Sequence, residues 1–179
     1  MKLKKIIYVS AILFLVTLLI IFSTLIIKSH YKSKVTLLGN PIENITYGNV
    51  DETFTSTFMT SNFLLKMIVN DASKQCDDKL IKLSSLIQDS KIIIINIGYM
   101  DLCNIDDEEM LIRQSEITVS NIKSIVNLIL QKSKNTTIYL CLIQSIENSN
   151  LVHIYQDINH KIKLISTENG INIYNMSFF

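Results

Sequence analysis

Few side chains in this chain could act on a substrate. Asp101 stands three residues beyond Gly98, and Cys103 stands five beyond it, at the end of the run Lys91-Ile92-Ile93-Ile94-Ile95-Asn96-Ile97-Gly98. Ser61 and Ser90 add hydroxyls. His153 and His160 are seven residues apart, so both fall on nearly the same face of a helix. These residue types suit acyl transfer, in which a Ser or Cys attacks and a His takes its proton. That chemistry requires nucleophile and base within hydrogen-bond reach. No nucleophile or orienting acid is placed by the sequence for either histidine to act with, and the expectation for both is a partly exposed helix position without a role.

Metal and cofactor chemistry has less to stand on. The three histidines are scattered, and Cys76, Cys103 and Cys141 show no C-x-x-C spacing. An odd cysteine count excludes complete internal pairing, so neither a disulfide scaffold nor a zinc site is expected, and no cofactor is implied. Cys141 lies inside an apolar run and is expected in the core. The acids Asp106-Asp107-Glu108-Glu109 suit a helix start, where the helix dipole favours negative charge, better than a metal site.

Hydrophobic patterning indicates the elements that must position these residues. The β-branched run at 91–97 reads as a fully buried parallel strand entering a glycine turn. Lys34–Leu38 reads as a short strand ending at Gly39-Asn40-Pro41-Ile42, and Thr136–Ile143 as another buried strand. Residues 53–60 fit a strand or an irregular segment equally well. Helical spacing predicts helices over 61–70, with Ser61 or Asn62 as cap, and over 77–88. Two more are predicted over 106–132 and 150–168, the last with Asn150 as cap and Gly170 just past its end, before a short strand at 171–174. Strands alternating with helices predict a parallel sheet with helices on both faces, a three-layer α/β/α domain.

The stretch Ile92–Leu102 resembles the third sequence block of the SGNH (GDSL-type) hydrolases, a strand followed by I-G-x-N-D, and the likeness extends over 35–179. It implies a flavodoxin-like fold and ester hydrolysis at the carboxyl edge of the sheet. The residues at the matching positions depart from what that activity needs. In the first block, G-D-S-L, this chain reads Gly39-Asn40-Pro41-Ile42, so Pro41 stands where the family has its nucleophilic Ser. Proline has neither a hydroxyl to attack with nor an N–H to donate to an oxyanion. The second block supplies a glycine, but none occurs between Gly48 and Gly98. In the third block Met100 replaces the Asn of the oxyanion hole, and a thioether cannot donate a hydrogen bond. Gly98 and Asp101 persist, with a tight turn and a loop-capping carboxylate as their expected roles. The family's D-x-x-H block, source of the base, would begin near Ser177-Phe178-Phe179. A domain truncated at its carboxyl end is therefore expected.

The chain has 179 residues, room for one domain and an appendage. Ile6–Ile27 contains no charge over 22 residues, and as a helix it would cover roughly 33 Å, enough to span a hydrocarbon core of ~30 Å. It leads into Lys28-Ser29-His30-Tyr31-Lys32, which is no cleavage site. The expected organisation is a basic terminus (1–5), a transmembrane anchor (6–27), a linker (28–34) and an α/β domain (35–179). Lysines before and after the span nearly balance. The resemblance favours an external domain on the cell membrane. From residue 35 onward, 11 Lys/Arg face 16 Asp/Glu, a net charge of −5 that argues against nucleic acid as a partner. Lys outnumbers Arg 16 to 1, a bias expected of a low-GC genome.

Three functions are compatible with these features. The first is a membrane-anchored, catalytically inactive SGNH-like protein that binds an envelope glycan, lipid or protein partner, or is a decayed gene product. The second is an active ester hydrolase on acylated envelope carbohydrate or lipid, with Ser61, Ser90 or Cys103 as nucleophile and His153 or His160 as base. The third is a structural or interaction role using only the anchor and the acidic domain.

Overall fold

A computed structural model describes residues 16–17, 34–42, 50, 52–76, 79–144 and 151–174. The chain divides into two units, Met1–Ser33 and Lys34–Phe179. The expected anchor at 6–27 lies outside the described residues apart from a helical pair at 16–17. No helix among the described residues is long and apolar enough to cross a membrane.

Among the described residues, the second unit is built on five parallel strands. They are β1 (Val35–Gly39), β2 (Glu52–Thr55), β5 (Ile92–Asn96), β6 (Thr137–Cys141) and β7 (Asn172–Tyr174), in spatial order β2-β1-β5-β6-β7. Leaving aside a separate antiparallel hairpin, β3 (Ser73–Cys76) with β4 (Lys79–Lys82), this is the 2-1-3-4-5 order of flavodoxin-like sheets. Its switch point lies between β1 and β5, where Gly39 pairs with Asn96. Crevices at that point, outside the carboxyl ends of the strands, are where such folds hold ligands.

β-Branched side chains crowd a helix and fit a pleated surface, so four successive isoleucines make β5 a central strand. Ile93, Ile94 and Ile95 are fully buried, alternating between two faces. On one face, Leu38, Ile93, Ile95, Ile138 and Leu140 meet the buried residues of every described helix. These helices are α1 (Ser61–Val69), α2 (Leu83–Asp89), α3 (Tyr99–Leu102), α4 (Glu108–Lys132) and α5 (Val152–Asn169). On the other face, Val35, Leu37, Ile94, Cys141 and Tyr174 form a second cluster, joined by Ile42 and Val50 from the β1–β2 connection. Among the described residues no helix packs there, although the sequence predicts helices on both faces. The crossovers β2→β5, β5→β6 and β6→β7 all step the same way along the sheet. Right-handed connections stepping one way deliver their helices to one face. Only β1→β2 steps back, and its described residues form no helix.

Several local expectations need correction. Residues 79–82, predicted helical, form strand β4, and α2 begins only at Leu83. Leu80, whose spacing suggested the longer helix, is 67% exposed. The start of α2 is pinned from outside: Ala72 O accepts from Leu83 N, and Asp71 accepts from Ser84 N at 2.8 Å. Residues 52–55 resolve into the edge strand β2. The cap of α1 is Thr60, not Ser61 or Asn62, with its hydroxyl accepting from Phe63 N. Helix α4 begins one residue after its cap Asp107, so Asp106 precedes the helix while Glu108 and Glu109 occupy its first turn. Gly170 ends α5 at φ +62°, the left-handed conformation that favours glycine.

Candidate functional site

The carboxyl edge of the sheet is organised by two glycine turns. Gly39 ends β1 at φ +108°, and a Cβ on it would lie 2.1 Å from the carbonyl oxygen of Asn96. Only glycine permits this approach of β1 to β5. Beyond it, Asn40 N donates to Asn96 O at 2.6 Å, and Asn96 Nδ2 returns a bond to Asn40 O at 3.1 Å. The side-chain amide of Asn40 points at three backbone carbonyls, donating to Ser56 O, Thr57 O and Met59 O at 3.1–3.4 Å. A carboxylate at this position would face the same three oxygens and repel them. Pro41 follows directly, exposed and with no donor.

Gly98, also at φ +108°, turns the chain out of β5 into the single-turn helix α3. The side chains of Ile143 and Thr118 press against it, at 2.5 and 3.2 Å from where a Cβ would stand. Met100 and Cys103 sit one turn apart on this segment, both half-buried, with their sulfurs 4.0 Å apart. Asp101 engages the first residue of α1. Its carboxylate accepts from Ser61 N and from Ser61 Oγ, each at 2.8 Å, and so ties α3 to the start of α1. Burial pushes the pKa of Asp101 above the ordinary carboxylate range, against the pull of the bonds from Ser61.

The structure does not gather the candidate nucleophiles and bases into one constellation. The Ser61 hydroxyl donates to Asp101 and accepts from Asn121 Nδ2 at 3.0 Å. Ser90 lies at the opposite, amino edge of the sheet, buried, with its hydroxyl on Leu86 O and Thr36 Oγ1. The thiol of Cys103 faces Met100. His153 is exposed and lies 3.5 Å from Glu108, and His160 is exposed farther along α5. Among the described residues, no histidine is hydrogen-bonded to Ser61, Ser90 or Cys103. Cys141 is a core residue, its thiol pushed up to about 12 by burial. No group of three or more His, Cys, Asp or Glu that could hold a metal occurs among the described residues.

Sequence reasoning missed the polar residues that support this edge from a distance. Asn121 reaches Ser61 across 60 positions. Asn159 of α5 holds the end of the β6 segment by pairing with both Ile143 N and Ile143 O at 2.8 Å. One faint signal was available for Asn121, a polar residue between the inward-facing Thr118 and Ile122 of α4.

No protein-family profile matches the chain, and no curated protein matches its sequence. Its fold does have solved counterparts. An esterase from Pseudoalteromonas sp., a psychrotrophic enzyme with a structure inhibited by monoethylphosphonate, superposes with a TM-score of 0.53 at 14% identity. That match covers 81% of this chain and 78% of the other. An extracellular lipase from Streptomyces rimosus superposes with a TM-score of 0.51 at 9% identity, covering 79% of each chain. The domain thus has a parallel-sheet α/β fold like that of this esterase and this lipase.

Proposed function

We propose that the chain is a membrane-anchored, SGNH-hydrolase-like protein without esterase activity. It binds a ligand or partner at the carboxyl edge of the sheet, or else is a decayed gene product. The observation that carries this reading is Pro41. Gly39 and Asn40 are fixed against Asn96 and the 56–59 loop, and the next residue has neither a nucleophilic oxygen nor a donor N–H. Met100 adds to it, because loss of one oxyanion donor costs about 2.7–4 kcal/mol of transition-state stabilisation. The esterase and lipase likeness favours acyl esters of envelope glycan or lipid as the ligand class. The uncharged run at 6–27 is the proposed anchor, with the α/β domain outside the cell.

The test is hydrolysis of short-chain aryl esters by protein with a cooperative thermal melt. No turnover above buffer is expected. Turnover abolished by Cys103→Ala or His160→Ala would replace this reading with an active hydrolase using nonstandard residues. The anchor is checked separately: the chain should resist carbonate extraction from membranes, and protease added to intact cells should digest the domain.

A further inference from the structure

The large majority of buried polar side-chain atoms are paired, because each one left alone costs about 1–3 kcal/mol. Among the described residues three have no partner: Asn40 Oδ1, Thr118 Oγ1 and Tyr155 Oη. They are deeply buried, with Thr118 at 0%, Tyr155 at 1% and Asn40 at 9% exposure. All three lie at the carboxyl edge. Asn40 follows β1 and is bonded to Asn96, two residues before Gly98. Thr118 touches the Gly98 turn with its methyl group. Tyr155 stands in the first turn of α5, one helical turn before Asn159, which holds Ile143 against Gly98. Burial pushes the Tyr155 hydroxyl above its ordinary range, and Cys103 and Tyr99, on the same turn, push it further in that direction.

The chemistry of the three atoms restricts what can satisfy them. Asn40 Oδ1 only accepts, so it needs a donor. The Thr118 and Tyr155 hydroxyls each offer a donor and need an acceptor. The 98–103 turn carries one charge, on Asp101, and Ser61 already engages it. An ion entering here would be left uncompensated.

We infer that the carboxyl edge holds a neutral, hydroxyl-bearing guest bound by Thr118 and Tyr155 beside the Gly98–Cys103 turn, with Asn40 Oδ1 as the acceptor on the β1 side. The hydroxyl belongs to ordered water or to an alcohol or sugar. The site adjoins Pro41 and Met100, the positions matching the family's nucleophile and oxyanion donor, but it uses neither side chain and stands whether or not the edge turns over esters.

The test compares thermal melts of the full chain with those of Thr118→Val, Tyr155→Phe and the double variant. With a guest, each single change lowers Tm by about 2–4 °C. The double change lowers it by less than the sum, because both hydroxyls release the same guest. If the hydroxyls are empty-handed, removing them leaves Tm unchanged or raises it, which overturns the inference. Should a variant not fold, a high-resolution crystal structure of the unmodified chain decides. Density within hydrogen-bond distance of both Tyr155 Oη and Thr118 Oγ1 supports the site, and its absence overturns it. Melts with added N-acetylglucosamine separate the sources. A rise in Tm lost in the double variant assigns a sugar hydroxyl, and no rise alongside the density assigns water.

Discussion

Replacing Asp101 by Ala removes the acceptor of two donors at the start of α1, the backbone N–H and the hydroxyl of Ser61, each at 2.8 Å. Ser61 is fully buried, so water cannot take over. A helix-start N–H that loses its side-chain acceptor costs about 0.5–2 kcal/mol, and a buried hydroxyl losing a partner about 1–3 kcal/mol. Two effects reduce the sum. Asn121 still donates to the Ser61 oxygen, and the substitution also removes a carboxylate whose ionisation burial disfavours. The net loss should be about 1.5–3 kcal/mol, or roughly 4–10 °C in Tm for a domain of this size. Asp101→Asn keeps an acceptor for the N–H and should lose less than about 1 kcal/mol. Urea and thermal unfolding followed by circular dichroism would measure all three proteins. An Ala variant as stable as the parent, or an Asn variant as damaged as the Ala variant, would refute the capping argument. The pH dependence is a second check. A carboxyl with a raised folded pKa contributes stability that is complete below its unfolded pKa and is lost as pH rises through the raised value. The parent should therefore gain on Asp101→Asn as pH falls from neutral. A parent that loses ground instead would mean that the Ser61 bonds outweigh burial.

Three further outcomes are expected. Gly39→Ala should abolish cooperative folding or cost more than about 3 kcal/mol, since its Cβ would meet the Asn96 carbonyl at 2.1 Å; a melt within 2–3 °C (roughly) of the parent would show that β1 can shift away from β5. Asn40→Asp should cost about 2–4 kcal/mol in denaturant titrations, because three carbonyls lose their donor and face a carboxylate; Asn40→Ala should cost less than Asn40→Asp if repulsion matters. In peptide mapping after iodoacetamide, half-exposed Cys103 should alkylate in the folded protein while Cys141, its thiol pushed up to about 12, reacts only on unfolding; equal rates would contradict the burial of β6.

What could be read from the sequence was whatever local pattern controls. The isoleucine run of β5, the 3.6-residue periods of α4 and α5 and the glycine after α5 each carry their signal within one element. The hairpin was hidden because β4 has only four residues, with Leu80 at a spacing that also extends the α2 pattern backward. Its strand state comes from pairing with 73–76, a tertiary effect that overrides a weak local period. β2 was ambiguous because it is an edge strand with only Phe54 buried. At the edge of the sheet, the glycine turns at Gly39 and Gly98 were legible by type and spacing. The partners that hold them were not, since Asp101 reaches 40 residues to Ser61 and Asn121 reaches 60 to the same side chain. Such contacts depend on how α1 and α4 dock, and no single element encodes that.

The amide of Asn40 has a consequence for descent. If an ancestor carried aspartate at this position, as the G-D-S-L pattern suggests, the 56–59 loop has since closed its carbonyls around a donor. Reverting that one side chain would now set a negative charge against three oxygens. The 56–59 loop thus acts as a filter on position 40: it admits a donor and penalises an acceptor, whatever residue stands at 41.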